Sequence, residues 1–171
     1  MKPILVLCLG NDLLTDDRLG AVVAQRLQTE LSDSIPVEII FAPLAGFALL
    51  DLLHDRQYAL VVDTILTGKS EPGTITFSPG GISVPTKNLT CSHQASLPTI
   101  IGLARQMNIP LPEQIDVITV EAEDVYTLSE QMTPKVALAI DDVISHITGW
   151  INQQIEELSN GLHRKPADAV A

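Results

Sequence analysis

The sequence predicts an α/β fold: three α/β/α layers around a twisted, five-stranded, mostly parallel sheet whose fourth strand is antiparallel. Three observations lead there. The apolar runs at 3–9 and 58–65 are continuous rather than alternating, as in strands covered on both faces. Strand and helix patterns then alternate β-α-β-α-β from residue 3 to residue 65, which implies parallel pairing with right-handed crossovers. Finally, a chain of 171 residues that is 46% apolar but only 4% aromatic can fill one sizeable core, chiefly with Val, Ile, Leu and Ala.

"PILVLCL" (3–9) is the first strand. Leu19, Val22, Val23, Leu27 and Leu31 follow at helical spacing, so the first helix is expected from about Asp16 to Leu31. "VEIIFA" (37–42) reads as the second strand, "GFALLDLLHD" (46–55) as a short helix, and "YALVVDTI" (58–65) as the third strand. Only "LTGKSEPG" separates it from "TITFSP" (74–79), too little for a parallel crossover. The fourth strand is therefore expected to run antiparallel beside the third. A Gly/Pro/Ser-rich connection over 80–92 leads to a helix beginning near His93, and "DVITVEA" (116–122) is the fifth strand. In the last helix Thr133 suits the N-cap and Pro134 the first turn. Val136, Ile140, Val143, Ile144, Ile147, Ile151, Ile155 and Leu158 form its apolar stripe. The aperiodic end "SNGLHRKPADAVA" is expected to be a flexible tail over 159–171, leaving one domain over 1–158.

Composition narrows the function. A net charge of −11 leaves no basic patch for phosphates, so nucleic acid is not an expected partner. Two cysteines, Cys8 and Cys91, are too few for a disulfide framework, and Cys8 lies inside an apolar strand. "MKPILVLCLG" has an apolar stretch shorter than most signal peptides and no small-residue cleavage site. No run approaches the ~20 apolar residues that span a bilayer. A cytoplasmic location with no membrane partner is expected.

The strand directions gather three acidic positions and one imidazole. Loop 10–16 and Asp63 both fall at the carboxyl ends of parallel strands, where open α/β sheets bind ligands. The fourth strand descends, and the 80–92 connection, spanning up to about 3.3 Å per residue, can climb back, so His93 belongs at the same edge. Asp16 or Asp17 alone would be an ordinary helix-start charge, worth about 0.3–1 kcal/mol. Asp63 is less ordinary, because it ends a buried apolar run. A helix N-terminus disfavours imidazolium, which keeps His93 available as a ligand. Carboxylates gathered without Arg or Lys repel one another unless a cation or a retained proton intervenes. One imidazole with two carboxylates suits a first-row transition ion better than magnesium or calcium. Cys91 has no evident partner, and His54, His146, His163, Asp141 and Asp142 fall on exposed helical or tail positions. No G-x-S-x-G elbow, H-E-x-x-H helix or P-loop is present.

In their order, "LGNDLLTDDRLG", "LAGFALLDLL", "LVVDTI", "SHQASL" and "YTLSEQMTPKVALAI" resemble the hydrogenase maturation proteases over residues 4 to about 158. These endopeptidases remove a C-terminal extension from the precursor large subunit of [NiFe]-hydrogenases. The resemblance implies a twisted sheet flanked by helices. It carries the family's metal-binding positions to Asp17, Asp63 and His93, which would then be both the metal ligands and the catalytic residues. It also implies that the nickel is supplied by the substrate, so that cleavage follows correct metal insertion, and that the precursor is the partner of a monomeric enzyme. The chain departs from the common pattern at Cys8, in "FAPLAG", in "TVEAED" and in having Asp rather than Glu at position 17.

Two other readings fit part of the pattern. A phospho-acceptor receiver domain also has paired acids after its first strand and an Asp ending its third. Here, however, "GNDLLT" separates the acids from the strand, and the Lys expected directly after strand five is missing from "DVITVEAED". A different metal-dependent hydrolase of similar architecture is the second.

Overall fold

The computed structural model describes residues 2–43, 46–80 and 97–162. Its sheet has five strands: β1 (Ile4–Leu9), β2 (Val37–Ala42), β3 (Tyr58–Ile65), β4 (Ile75–Ser78) and β5 (Gln114–Glu121). Their order is β2-β1-β3-β5-β4, parallel except for β4. Helix α1 (Leu19–Glu30) joins β1 to β2, and α2 (Ala48–Leu53) joins β2 to β3. The described part of α3 spans Leu97–Gln106, and α4 (Pro134–Leu138) and α5 (Ile140–Leu162) follow β5.

Alternation along each strand builds two apolar cores. Ile4, Val6, Leu60, Val62, Ile118 and Val120 face Leu19, Val23, Leu27, Val143, Ile147 and Ile151 of α1 and α5. Leu5, Leu7, Leu9, Ala59, Val61 and Val117 face Leu49, Leu53, Leu97, Ile100 and Ile101 of α2 and α3. This is the three-layer arrangement expected for strands hydrophobic on both sides. Cys8 is buried in the first core, and desolvation pushes its thiol up to about 12, so it remains an inert thiol near neutral pH.

Three details differ from the sequence expectation. β4 is antiparallel as predicted, but its neighbour is β5, not β3. The free edge of β3 is occupied by β5 from Tyr58↔Gln114 to Ile65↔Glu121, and β4 pairs outside it from Ile75↔Val120 to Ser78↔Val117. Stepping over one strand covers about 10 Å, which the connection after Ile65 easily spans. The first helix opens with a separate 3-10 turn at Asp16–Arg18 before α1. The long last helix is interrupted at Ala139, whose carbonyl accepts from Val143 as α5 begins. The apolar stripe continues across the break through Val136, Ile140, Val143, Ile147 and Ile151.

At the lower end of β5, buried Asp116 accepts from Gln114 Nε2 at 2.6 Å, Trp150 Nε1 at 2.7 Å and the Gly80 amide at 2.8 Å. This carboxylate ties α5 to the sheet on the side remote from loop 10–18. Among the described residues, no helix is long and apolar enough to cross a membrane.

Candidate active site

β1 leads through α1 to β2 on one side of it, while β3 lies on its other side. The carboxyl ends of β1 and β3 therefore flank a topological switch point, the usual ligand crevice of such sheets. β1 pairs with β3 only as far as Cys8↔Val62. Beyond that pair the β1 side of Asp63, Thr64 and Ile65 is open to whatever loop 10–18 places there.

Two glycines determine what that is. Gly10 has φ +139°, and a Cβ there would stand 2.0 Å from the Asp17 carbonyl oxygen. The loop thus doubles back on itself, and the Asn11 amide donates to that same carbonyl at 3.1 Å. Asn11 Oδ1 accepts from the Leu13 amide at 3.0 Å, an Asx turn that tightens the bend. Gly20, one turn further, lets α1 approach so closely that a Cβ would meet the Leu9 carbonyl oxygen at 1.9 Å. Gly→Ala inside a helix ordinarily stabilises by about 0.5–1 kcal/mol. Here Gly20→Ala is expected to reverse that sign and cost about 2–3 kcal/mol, because helix and strand must separate. A urea titration checks it, with an unchanged or higher midpoint contradicting the close approach.

The loop carries buried Asp17 to buried Thr64, whose hydroxyl donates to Asp17 Oδ1 at 2.9 Å. The Thr64 amide donates to Asp63 Oδ1, also at 2.9 Å. By strand alternation Asp63 shares the α2/α3 face with Ala59 and Val61, and Thr64 shares the α1/α5 face with Leu60 and Val62. Asp17 meets the Thr64 hydroxyl on the α1/α5 face, whereas the Asp63 carboxylate accepts from the next amide of its own strand on the α2/α3 face; both belong to the carboxyl edge of the sheet.

The other predicted participant, His93, lies outside the described residues, as does Cys91. Among the described residues, no three His, Cys, Asp or Glu side chains are grouped to hold a metal ion. Topology bears on His93 only through its neighbour. α3 is followed by β5, which rises from the opposite edge, so α3 begins towards the carboxyl edge at Leu97.

Asp16 has a different task from Asp17. Fully buried, it accepts four hydrogen bonds: from the Glu123 and Asp124 amides at 2.9 Å, the Thr133 amide at 2.8 Å and the Thr133 hydroxyl at 3.1 Å. Thr133 occupies the predicted N-cap of α4, but its hydroxyl serves Asp16 rather than the helix amides. The same two loops pair along their backbones. The Thr15 amide donates to the Thr127 carbonyl at 2.9 Å, the Ser129 amide to the Leu13 carbonyl at 3.1 Å, and Leu14 bridges Leu128. Asp16 and its neighbours therefore clasp loop 10–18 to the segment after β5.

Sequence reasoning missed Glu121. Buried at the end of β5, it accepts from the Thr67 and Gly68 amides at 2.7 and 2.8 Å and from the Thr67 hydroxyl at 2.8 Å. These donors occupy both carboxylate oxygens, so Glu121 positions the β3–β4 connection beside the site. An acid closing a buried strand was the available signal, the same one that singled out Asp63.

Comparison with known proteins supplies a family. A family model described as hydrogenase maturation protease matches residues 21–150, a span that includes Asp63 and position 93 and begins just after Asp17. The chain is 25% identical over 169 residues to the hydrogenase 2 maturation protease of Escherichia coli (strain K12), covering 98% of both chains. It is similar to the solved hydrogenase maturating endopeptidase HybD from E. coli, with a TM-score of 0.73 and 25% identity over 88% of this chain and 93% of that one. The solution structure of an endopeptidase from E. coli superposes with a TM-score of 0.71 at 26% identity, again over 88% and 93%. A hydrogenase 2 maturation peptidase from a Thaumarchaeota archaeon, 19% identical with a TM-score of 0.63 over 88% of this chain and 99% of that one, shares the fold. A match over most of the chain, on a sheet of this order with its acids at the switch point, decides against a receiver domain: the chain belongs to the hydrogenase maturation protease family and is a peptide-bond hydrolase.

Proposed function

We propose that this chain is a cytoplasmic, monomeric endopeptidase that removes the C-terminal extension of a [NiFe]-hydrogenase large-subunit precursor once nickel is in place. Asp17, Asp63 and His93 are the residues assigned to the nickel, which arrives on the substrate. The observation that supports this reading is the placement of two buried carboxylates, Asp17 and Asp63, at the switch-point edge, each hydrogen-bonded to Thr64. Two carboxylates with one imidazole, as the ligand set proposed here, suit a first-row transition cation better than magnesium or calcium.

The residues divide the labour. Thr64 fixes both Asp17 and Asp63 by donating to one oxygen of each. Asp16 and Glu121, with their oxygens committed to structural donors, hold the surrounding loops. Substrate nickel would act as Lewis acid on the scissile carbonyl or lower the pKa of a bound water, and a carboxylate of the site would serve as base.

The test is processing of the precursor with and without nickel. The loaded precursor is expected to be shortened, as read by mass spectrometry, and the nickel-free precursor to remain intact. Equal cleavage of both would overturn nickel recognition while leaving peptidase activity in place.

A further inference from the structure

Three large apolar side chains stand out from the two clasped loops: Leu13 is 64% exposed, Tyr126 66% and Leu128 76%. Loop tips are ordinarily polar, and large apolar side chains gathered on one rigid surface mark an interaction site. Leu13 and Leu128 line an open recess of about 370 Å³ together with Asp12, Ser129 and Glu130. We propose that this recess is where the hydrogenase large-subunit precursor docks, through an apolar side chain flanked by basic ones; the inference rests on the processing function above.

Charge argues for the flanking residues. Asp12 and Glu130 are the charged side chains lining the recess, and they outnumber the one cation bonded to it, Arg18, which donates to the Ser129 carbonyl at 3.2 Å. A partner bringing Lys or Arg alongside an apolar anchor matches both the rim and the Leu13/Leu128 floor. The surface is also formed in advance. Asn11 Oδ1 holds the Leu13 amide, and Asp124 Oδ1 holds the Tyr126 and Thr127 amides at 2.8 and 3.1 Å. Ordering these loops therefore takes little from the binding energy. Finally, the recess adjoins the site along the chain: Asp17 is four positions after Leu13, so their Cα atoms are at most about 14 Å apart. A segment anchored at Leu13 and Leu128 is delivered to the loop that bears Asp17.

The experiment measures binding and cleavage separately, with the nickel-loaded precursor as probe. Because both leucines are exposed, the Leu13→Ser/Leu128→Ser variant is expected to keep its melting temperature. Its Kd for the precursor should rise at least tenfold and its KM in parallel, with kcat changed less than twofold. Asp12→Lys/Glu130→Lys should raise Kd severalfold and flatten its dependence on salt. Unchanged Kd in the leucine variant overturns the docking proposal, as does absence of precursor binding by the unsubstituted chain. Sedimentation showing a dimer that Leu128→Ser dissociates also overturns it, since the occupant is then a second copy. Binding that depends on the leucines, without cleavage by the unsubstituted chain, supports docking and refutes the processing function instead.

Discussion

Asp17→Asn and Asp63→Asn are each expected to lower kcat/KM for the nickel-loaded precursor by about 10²–10³-fold without unfolding the protein. Asparagine keeps the shape of the side chain, and its Oδ1 can still accept the Thr64 hydroxyl at position 17 or the Thr64 amide at position 63. What disappears is the negative charge that would meet the substrate's metal. His93→Ala belongs in the same series, with a similar loss. Processing rates are read on gels, and circular dichroism melts establish that each variant is folded. Full activity in the three variants would remove the proposed site, whatever the family does elsewhere. Loss confined to one carboxylate would separate a ligand from a residue that only shapes the edge.

Asp16→Asn is expected to act on stability first. The carboxylate accepts three amides and one hydroxyl, all inside the protein. An amide in its place turns an NH₂ group towards one set of these donors and leaves at least one of them unsatisfied. Hydrogen bonds to a charged acceptor are worth about 1.5–3 kcal/mol each, so a net loss of about 3 kcal/mol follows. For a chain of this size that corresponds to a Tm fall of roughly 6–12 °C. Measured well below the transition, processing should also slow, because loop 10–18 is no longer clasped. A Tm change under about 2 °C would show that the clasp contributes little. Adjacent aspartates thus give opposite signatures: one variant folded and inactive, its neighbour unstable.

Much of this arrangement is legible in the amino-acid sequence. Continuous apolar runs gave β1 and β3, the period of Leu19, Val23 and Leu27 gave α1, and strand direction placed Asp17 and Asp63 at one edge. Local patterns carry that information because burial on both faces and helical amphipathicity are properties of neighbours in the chain. The neighbour of β4 was not legible, since which strand fills the free edge of β3 depends on β5, far later in the sequence. The role of Asp16 was hidden for the same reason: its donors lie 107 to 117 residues away. Glu121 shows a different limit. A glutamate at a strand end is equally compatible with a ligand, a cap or a loop anchor, and only its three donors decide.

The clasp at Asp16 also has a consequence for timing. Its last partner is Thr133, so the bond joins chain positions 117 apart and cannot exist until β1, β3 and β5 are assembled and residue 133 has been synthesised. Contacts of such long separation bear the full loop-closure entropy and form late in folding. A nascent or partly folded chain would present Asp17 on an unanchored loop. The edge proposed for cleavage is therefore completed by the end of the fold, and on that proposal cutting capacity itself waits on the maturation of the enzyme that performs it.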